Sequence, residues 1–427
     1  MNYLAQIWKT KDLRNKILFT IGMLAIFRFV AHIPLPGVDL EAIKEIFAQN
    51  KVLGVFSALT GGSMNNVSIA LMGLAPYINA SIIIQLMTVV IPHLEQLSEE
   101  GEEGRKTINS YTRWLTLPLA FIQSYGMILL LSRGAQGAQI IDTGNWEIML
   151  PAMLTLTAGT VFVMWLGEVI SEKGIGNGSS LIIFAGIVAG IPQIFGNILG
   201  LAEYDSTKLG AFIGFSVFTI FLLVIITLFT EAIRNIPITY ATRGNRAQKS
   251  SMPLRLNQSG MIPIIFAMSM ITFPAIMAQF MQSSTSQTLV NLSQWISQNL
   301  SAQNPSYVYM IIYFLLVWSF SFFYVSIVFK PQQMAENIQK RGGYIVGIRP
   351  GEETAKYLEK SGYYLTFWGG LFLAAIAIIP LVFTKFTTLE PADMILSGSG
   401  LIIVVGVVLE LIRQINAHLV AHDYDKI

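Results

Sequence analysis

The sequence predicts an all-α polytopic membrane protein with ten transmembrane helices. Of its 427 residues, 53% are hydrophobic and only 12% are charged, about half the charged share of ~25% found in soluble domains. The chain also contains ten apolar windows, each close to the ~20 residues that a helix needs to cross a bilayer. These windows are 17–33, 67–91, 114–132, 148–167, 179–199, 209–230, 260–281, 306–329, 363–383 and 398–415.

The distribution of Lys and Arg predicts that both termini are cytoplasmic. With the amino terminus inside, 21 of the 27 basic residues fall in inner segments and five in outer segments, while Arg28 lies within the first span. Basic residues are retained on the cytoplasmic side of a membrane. Residues 1–16 carry no small-residue cleavage site, so we expect the first span to stay in the protein.

A break precedes the second window. A short apolar piece, 52–59, is followed by Gly61 and Gly62, and the chain then becomes apolar again. Lipid cannot form hydrogen bonds with the free N–H and C=O groups of irregular backbone. Such backbone therefore persists at membrane depth only against protein or in a water-filled cavity. The break therefore predicts a central cavity, and an ordinary re-entrant loop is the alternative.

Five spans on each side of residues 200–208 predict an inverted repeat. An odd number of spans forces the second half, 201–427, to enter the membrane from the face opposite to that of the first half, 1–200. The expected architecture is two inverted pseudo-symmetric halves around a central pore. The second and seventh spans are equivalent, and both are interrupted near their starts, at Gly73, Pro76, Gly260 and Pro263. No letter-by-letter repeat is visible, so the symmetry is a hypothesis.

The spans are nearly free of charge at their centres. Glu168, Glu231 and Glu410 lie near predicted cytoplasmic ends, and Arg28 lies near one end of the first span. Carriers coupled to ions usually place ionisable side chains inside their spans. The central spans instead offer aliphatic side chains, and a ring of these blocks ions by dewetting while yielding to an apolar or flexible solute. For any one of these side chains, core packing is the alternative.

Catalytic, metal and cofactor sites are not expected. The chain has no Cys, which excludes disulfides and thiolate ligands, and its four His residues have no metal-site spacing. No phosphate-binding glycine motif is present. An intramembrane hydrolase would need a nucleophile with a base in reach, and none is apparent. A small-solute carrier with inverted repeats is the other alternative.

Six segments resemble the SecY family, the channel subunits of bacterial Sec protein translocases. They occur in family order at 33–37, 56–90, 165–168, 174–178, 183–190 and 347–352. The resemblance implies a passive protein-conducting channel in the bacterial inner membrane that passes unfolded secretory polypeptides. It also implies a lateral gate that releases signal and transmembrane segments to lipid. The energy would come from a motor ATPase or the ribosome.

The resemblance also assigns residues inside the membrane. The family's pore ring falls on Leu74, Ile78, Ile183, Ile265 and Ile403, with Ser179 at a further ring position that is commonly aliphatic. The family's plug matches 52–66, with Gly61 and Gly62 as its hinge. The lateral gate lies between the second and seventh spans, with the third and eighth beside them. Its polar candidates are Asn79, Gln85 and Asn257, for which helix-packing contacts are the alternative.

Two basic cytoplasmic loops, about 231–258 and 330–362, are implied to dock the ribosome or the SecA motor. Arg349 is the first candidate contact, followed by Arg243, Arg246 and Lys249, although basic residues accumulate on this side in any case. Asn235 and Thr242 replace basic residues that are usual in the family, which puts affinity through the first loop in doubt. SecE and SecG subunits, signal peptides, the nascent chain and membrane lipid complete the implied partners.

Overall fold

A computed structural model describes residues 7–36, 67–134, 145–202, 206–240, 248–281, 286–300, 305–386 and 398–424. The first half contains helices α1 (Lys11–Val30), α2 (Ala75–Val90), α3 (Pro92–Glu99), α4 (Glu102–Gly134), α5 (Trp146–Lys173) and α6 (Gly178–Ala202). The second half contains α7 (Ser206–Glu231), β1 (Ile233–Tyr240), β2 (Gln248–Arg255), α8 (Ile262–Met281), α9 (Gln287–Asn299), α10 (Tyr307–Val328), α11 (Pro331–Lys340), β3 (Gly343–Ile345), α12 (Glu352–Phe386) and α13 (Gly398–Tyr424).

Each of the ten apolar windows overlaps a helix, which confirms the helical membrane fold class. By length and apolarity alone, five helices of the described residues qualify as membrane spans, and α2 with α3 makes a sixth if the bent pair is one span. Two further apolar helices, 178–192 and 262–274, are shorter. The arrangement as two inverted halves stays a prediction.

The interruptions predicted in the second and seventh spans are helix starts. Gly73 and Gly260 adopt φ values of +51° and +63°, in the left-handed region that glycine enters without steric cost. Pro76 and Pro263 are the second residues of α2 and α8, where a missing backbone N–H costs no helical hydrogen bond. Both windows therefore begin with non-helical backbone and become helical only after these glycines.

A sharp bend follows α2. The axes of α2 and α3 differ by 103°, and Ile91 between them is extended, with φ −102° and ψ 111°. A residue before proline avoids helical geometry, so Pro92 accounts for the break. The bend turns α3 away from the direction of the span.

Among the described residues, the most extensive contacts between helices of the two halves lie in two places. In the first, α8 contacts both α2 and α4, and we call this contact the seam. In the second, α6 contacts α7 and α13. One large hydrophobic cluster draws buried side chains from both halves, among them Leu74, Leu181, Ile264 and Ile403.

A small antiparallel sheet, absent from the all-helical prediction, joins the two loops that were predicted to dock partners. Its strand order is β2-β1-β3, and Ile238 of β1 lies opposite Ile345 of β3. The sheet packs on α11 and the start of α12 through a second cluster, which contains Ile236, Ile238, Leu254, Ala335, Ile338, Ile345, Ala355, Leu358 and Leu365. We call the three strands, α11 and the first turns of α12 the platform. The two loops are thus one folded unit.

Candidate functional site

The five residues of the predicted pore ring all belong to, or pack against, the large hydrophobic cluster. They come from the start of α2, from α6, from α8 and from α13. Leu74 and Ile403 are buried, with 4% and 2% of their surface exposed, whereas Ile78, Ile183 and Ile265 are half-buried. Four separate helical segments from both halves therefore bring their aliphatic side chains to one apolar region.

Neighbouring isoleucines on two of these helices differ in burial. Ile182 and Ile264 are 2% and 0% exposed, but the following residues, Ile183 and Ile265, keep accessible surface. Adjacent positions on a helix point about 100° apart, so the first residue of each pair is fully packed while the next keeps part of its surface exposed. The half-buried pair is the one assigned to the ring.

Backbone contacts hold the segment that leads into Leu74. Leu35 donates its N–H to the carbonyl of Val67 at 2.9 Å, and Ile69 donates to the carbonyl of Ile33 at 3.0 Å. Gly159 of α5 lies against the carbonyl of Ile69, where a Cβ atom would collide with backbone. The absence of a side chain at Gly159 thus lets this segment lie directly on α5.

The motif at 174–178 forms the turn between α5 and α6, and it also contacts α1 and α13. Ile175 donates its N–H to Oγ1 of Thr20 in α1 at 3.0 Å, and Gly176 donates to Oε1 of Gln414 in α13 at 2.7 Å. Gly178 lies against the carbonyl of Gly167 in α5. This turn sets the start of α6, which carries Ser179 and Ile183. Sequence reasoning missed Thr20 and Gln414, because only the folded chain brings them to the turn.

The acidic residues near helix ends have partners. Arg113 of α4 donates from Nε to Glu168 of α5 at 2.7 Å. Arg413 of α13 donates to Glu231 at 2.6 Å. Glu410 accepts a hydrogen bond from Gln414 at 3.1 Å. Glu168 and Glu231 therefore join neighbouring helices, whereas the bond of Glu410 stays within α13.

The polar candidates for the gate lie on or beside the seam helices. Asn79 is half-buried on α2, and Gln85 donates to Ser81 of the same helix at 3.1 Å. Asn257 is buried just before α8 and accepts from Oγ of Ser259 at 3.4 Å. The bonds of Gln85 and Asn257 thus stay within their own segments. The carbonyl of the adjoining Leu256 lies against Gly369, which places Asn257 close to α12.

Arg349 lies at an exposed turn of the platform. Gly347 and Gly351 on either side of it adopt φ values of +85° and +96°. The carbonyl of Arg349 accepts a hydrogen bond from Oγ1 of Thr354 at 2.9 Å, which fixes the turn to the first turn of α12. In that helix, the hydrogen bond to Glu352 and the charges of Glu352 and Glu353 raise the pKa of Lys356.

Other candidates lie outside the described residues. These are the plug segment 52–66 with Gly61 and Gly62, and Arg243 and Arg246 in the connection between β1 and β2. Lys249 is a residue of β2. Among the residues that the structure describes, no group of three His, Asp or Glu residues is placed to hold a metal ion.

Comparison with known proteins decides the family. The sequence model of the SecY family matches residues 68–412. The chain belongs to the SecY family. It is 39% identical to the protein translocase subunit SecY of Bacillus licheniformis over 99% of this chain and 98% of that protein. It is also 39% identical to the corresponding subunit of Corynebacterium glutamicum, over 100% and 99% of the two chains.

Solved structures of the SecY family's fold agree with the helical architecture. The chain matches the structure of a protein-conducting channel with a TM-score of 0.64 and 17% identity, over 94% of this chain and 91% of the other. It matches Sec61 in the canine ribosome-channel complex with a TM-score of 0.61 and 16% identity, over the same shares. At these identities the likeness establishes the fold.

Proposed function

We propose that the chain is the protein-conducting channel subunit of a bacterial Sec translocase. The observation that carries this proposal is the convergence of Leu74, Ile78, Ile183, Ile265 and Ile403 on one apolar cluster built from both halves of a SecY-family chain. Unfolded secretory polypeptides would cross the membrane between the halves. The chain would act as a passive channel, and it would not be an enzyme.

The ring accounts for a seal that opens for polypeptide. A narrow aliphatic constriction is unfavourable for water and ions because it offers no hydrogen bonds. Side chains that stand on four separate helical segments can move apart with those segments. The plug, 52–66, would close the pore from outside, hinged at Gly61 and Gly62.

The seam supplies the proposed lateral gate. It is formed by α8 against α2 and α4, the helices of the second, third and seventh predicted spans, with α10 packed beside α8. An apolar stretch of a client gains free energy by leaving the aqueous path for hydrocarbon, so parting of the seam would release it to lipid. Asn79, Gln85 and Asn257 would tune that parting through weak polar contacts.

The platform supplies the proposed cytoplasmic docking surface. Arg349 is exposed on a turn that two left-handed glycines and a hydrogen bond to Thr354 hold in place. Lys249 lies in β2 of the same unit, and Arg243 and Arg246 fall between β1 and β2 in the sequence. SecA or the ribosome would bind here, and SecE and SecG homologues would complete the complex in the inner membrane, with both termini of the chain cytoplasmic.

Site-specific photo-crosslinking tests the pore assignment. A photo-reactive residue is placed at Ile78 or Ile265, and a secretory protein is arrested part-way across the membrane. We expect label in the arrested chain. The matched control is Ile220 of α7. Its side chain is 61% exposed on the surface of the protein, so a photo-reactive residue there should label lipid. Equal labelling of the client from Ile220, or labelling of lipid alone from Ile78 and Ile265, would contradict the proposal.

A further inference from the structure

Helix α9 lies between α8 and α10 in the chain and packs against both of them, mainly against α8. Ser306 ties its end to α10. The hydroxyl of Ser306 donates to the carbonyl of Asn299 at 2.7 Å and accepts from the backbone N–H of Tyr309 at 3.0 Å. Under the predicted orientation, this connection is on the outer side of the membrane. The helix is therefore held at the outer ends of α8 and α10.

Two faces of α9 carry small or apolar side chains, and they differ in burial. One face lies against protein, where Ser293 is fully buried and Val290 is half-buried. The other face exposes large apolar side chains, Leu289 at 40%, Leu292 at 48% and Trp295 at 50%. Residues three apart on a helix share one face, and these three span about 120° of the circumference. The protein itself thus leaves an apolar stripe of α9 uncovered.

A third face of α9 is polar and uncharged. Gln287, Asn291, Gln294 and Gln298 are all exposed there, and Nε2 of Gln287 donates to Oδ1 of Asn291 at 3.3 Å. The whole stretch 256–329 contains no Asp, Glu, Lys, Arg or His. A helix with adjoining apolar and polar faces fits the boundary between lipid headgroups and acyl chains. Since α9 has no charge, its attraction to that boundary would come from apolar burial and not from the charge of the lipid.

We propose that α9 is an interfacial anchor whose Leu289, Leu292 and Trp295 insert into the outer leaflet of the bilayer. The neighbouring helix α10 is long and apolar enough to span a membrane, and its first turns expose Tyr307 and Ile311. The apolar stripe of α9 is thus followed along the chain by the lipid-facing surface of a span. Trp295 lies at the edge of the stripe beside the polar face, where its indole N–H reaches water or headgroups. Trp and Tyr are enriched at this depth.

Lipid fits the stripe better than a protein partner does. A stable protein interface buries about 800 Å² on each side, which is more than three partly buried side chains of one short helix supply. The stripe also has no charged residue to orient a partner. Because α9 packs mainly against α8, its insertion would hold the outer end of this seam helix at the membrane surface. The anchor itself does not depend on the proposed channel activity.

The depth of α9 can be measured in vesicles that contain the full chain and Cys-free partner subunits. The chain has no Cys, so a nitroxide label can be attached to a single introduced Cys. Leu292→Cys places the label on the apolar stripe, and Asn291→Cys places it on the polar face as the matched control. Power saturation in electron paramagnetic resonance compares access of oxygen, which concentrates in lipid, with access of a neutral nickel chelate, which stays in water. We expect the ratio of oxygen to nickel access to be severalfold higher for the label at position 292.

Substitutions elsewhere on α9 test the cause of that ratio. In Leu289→Gln/Trp295→Gln, the ratio for the label at Leu292→Cys should fall toward that of the polar face, whereas Gln287→Ala/Gln298→Ala should leave it unchanged. Vesicles of zwitterionic lipid, alone or mixed with anionic lipid, should give the same ratio. Equal ratios for the two faces would place the stripe in water, and a label that neither reagent reaches would place it under protein; either result would overturn the anchor, as would a ratio set by lipid charge. The measurement needs no transport, so a transport failure of the unsubstituted chain would count against the proposed function alone.

Discussion

Glu231, the last residue of α7, accepts a 2.6 Å hydrogen bond from Arg413 of α13, and the same guanidinium reaches the carbonyl of Thr230 at 3.4 Å. A carboxylate at a helix C-terminus opposes the helix dipole, and a guanidinium there compensates both the carboxylate and the free carbonyls. Arg413, in the last predicted span, thus caps the C-terminus of the helix of the sixth span.

Removing this guanidinium should weaken the contact of α7 with α13. The side chains of Arg413 and Glu231 are 25% and 51% exposed, so solvent screens the pair. We expect Arg413→Ala to destabilise the protein by about 1 kcal/mol. Thermal unfolding of purified protein in detergent measures the change. The matched variant is Glu231→Gln, which keeps a hydrogen-bond acceptor, and the double variant should cost less than the two single costs added together. Strict additivity would show that the pair contributes nothing.

The glycines that precede α2 and α8 give a second prediction. A Cβ atom at Gly73 or Gly260 would meet no atom within 4 Å, so only the positive φ opposes a side chain there. Gly73→Ala and Gly260→Ala should each destabilise the protein by about 1 kcal/mol or more.

Gly190 of α6 is the matched control for that prediction. A Cβ atom at Gly190 would also meet no atom within 4 Å. Gly190 differs in that it lies inside a helix and does not have a positive φ. Gly190→Ala should therefore be neutral or stabilising by up to about 1 kcal/mol. The same thermal assay applies to all three variants. If Gly73→Ala and Gly190→Ala shifted the melting temperature equally, the helix starts would not need left-handed backbone.

Features encoded over short stretches of sequence were predictable. The ten windows overlap helices because hydropathy is read within about 20 residues. Gly73 with Pro76, and Gly260 with Pro263, located the two broken starts because each pair constrains the backbone locally. The pattern did not show whether each proline breaks a helix or begins one. In the structure, both prolines lie at helix starts.

Features that depend on distant residues were not predictable. β3 lies about a hundred residues after its partner β1, and Pro237 and Pro253 argue against strands when read alone. Since β3 pairs only with residues 238–240, Pro237 lies where β1 has a single neighbouring strand. The bonds from the 174–178 turn to Thr20 and Gln414 are equally non-local. The ring residues came from resemblance to a family, because aliphatic side chains in a membrane carry no pattern that separates a pore from a core.

Arg349 should matter for binding and leave stability unchanged. Its side chain is exposed, and the turn is held by the backbone and by Thr354. We expect Arg349→Ala to weaken ribosome or motor binding about tenfold at low salt, and to reduce the salt dependence of ribosome binding by about one counterion. Arg341→Ala, at another exposed basic residue of the platform, is the control. Equal effects of the two variants would point to general charge and against a specific contact.

The last prediction concerns the pore ring. An apolar constriction excludes water and ions only while its walls stay apolar. Replacing Ile78 and Ile265 with Ser gives water hydrogen-bonding partners inside the constriction, which lowers the barrier to ions. Ionic conductance of reconstituted protein in planar bilayers should rise severalfold, while Ile220→Ser, on the exposed face of α7, should leave it at the level of the unsubstituted chain. Both half-buried ring residues lose apolar contacts as well, so thermal unfolding is measured in parallel to show that the protein stays folded. A folded double variant with unchanged conductance would mean that Ile78 and Ile265 pack between helices and do not face a pore.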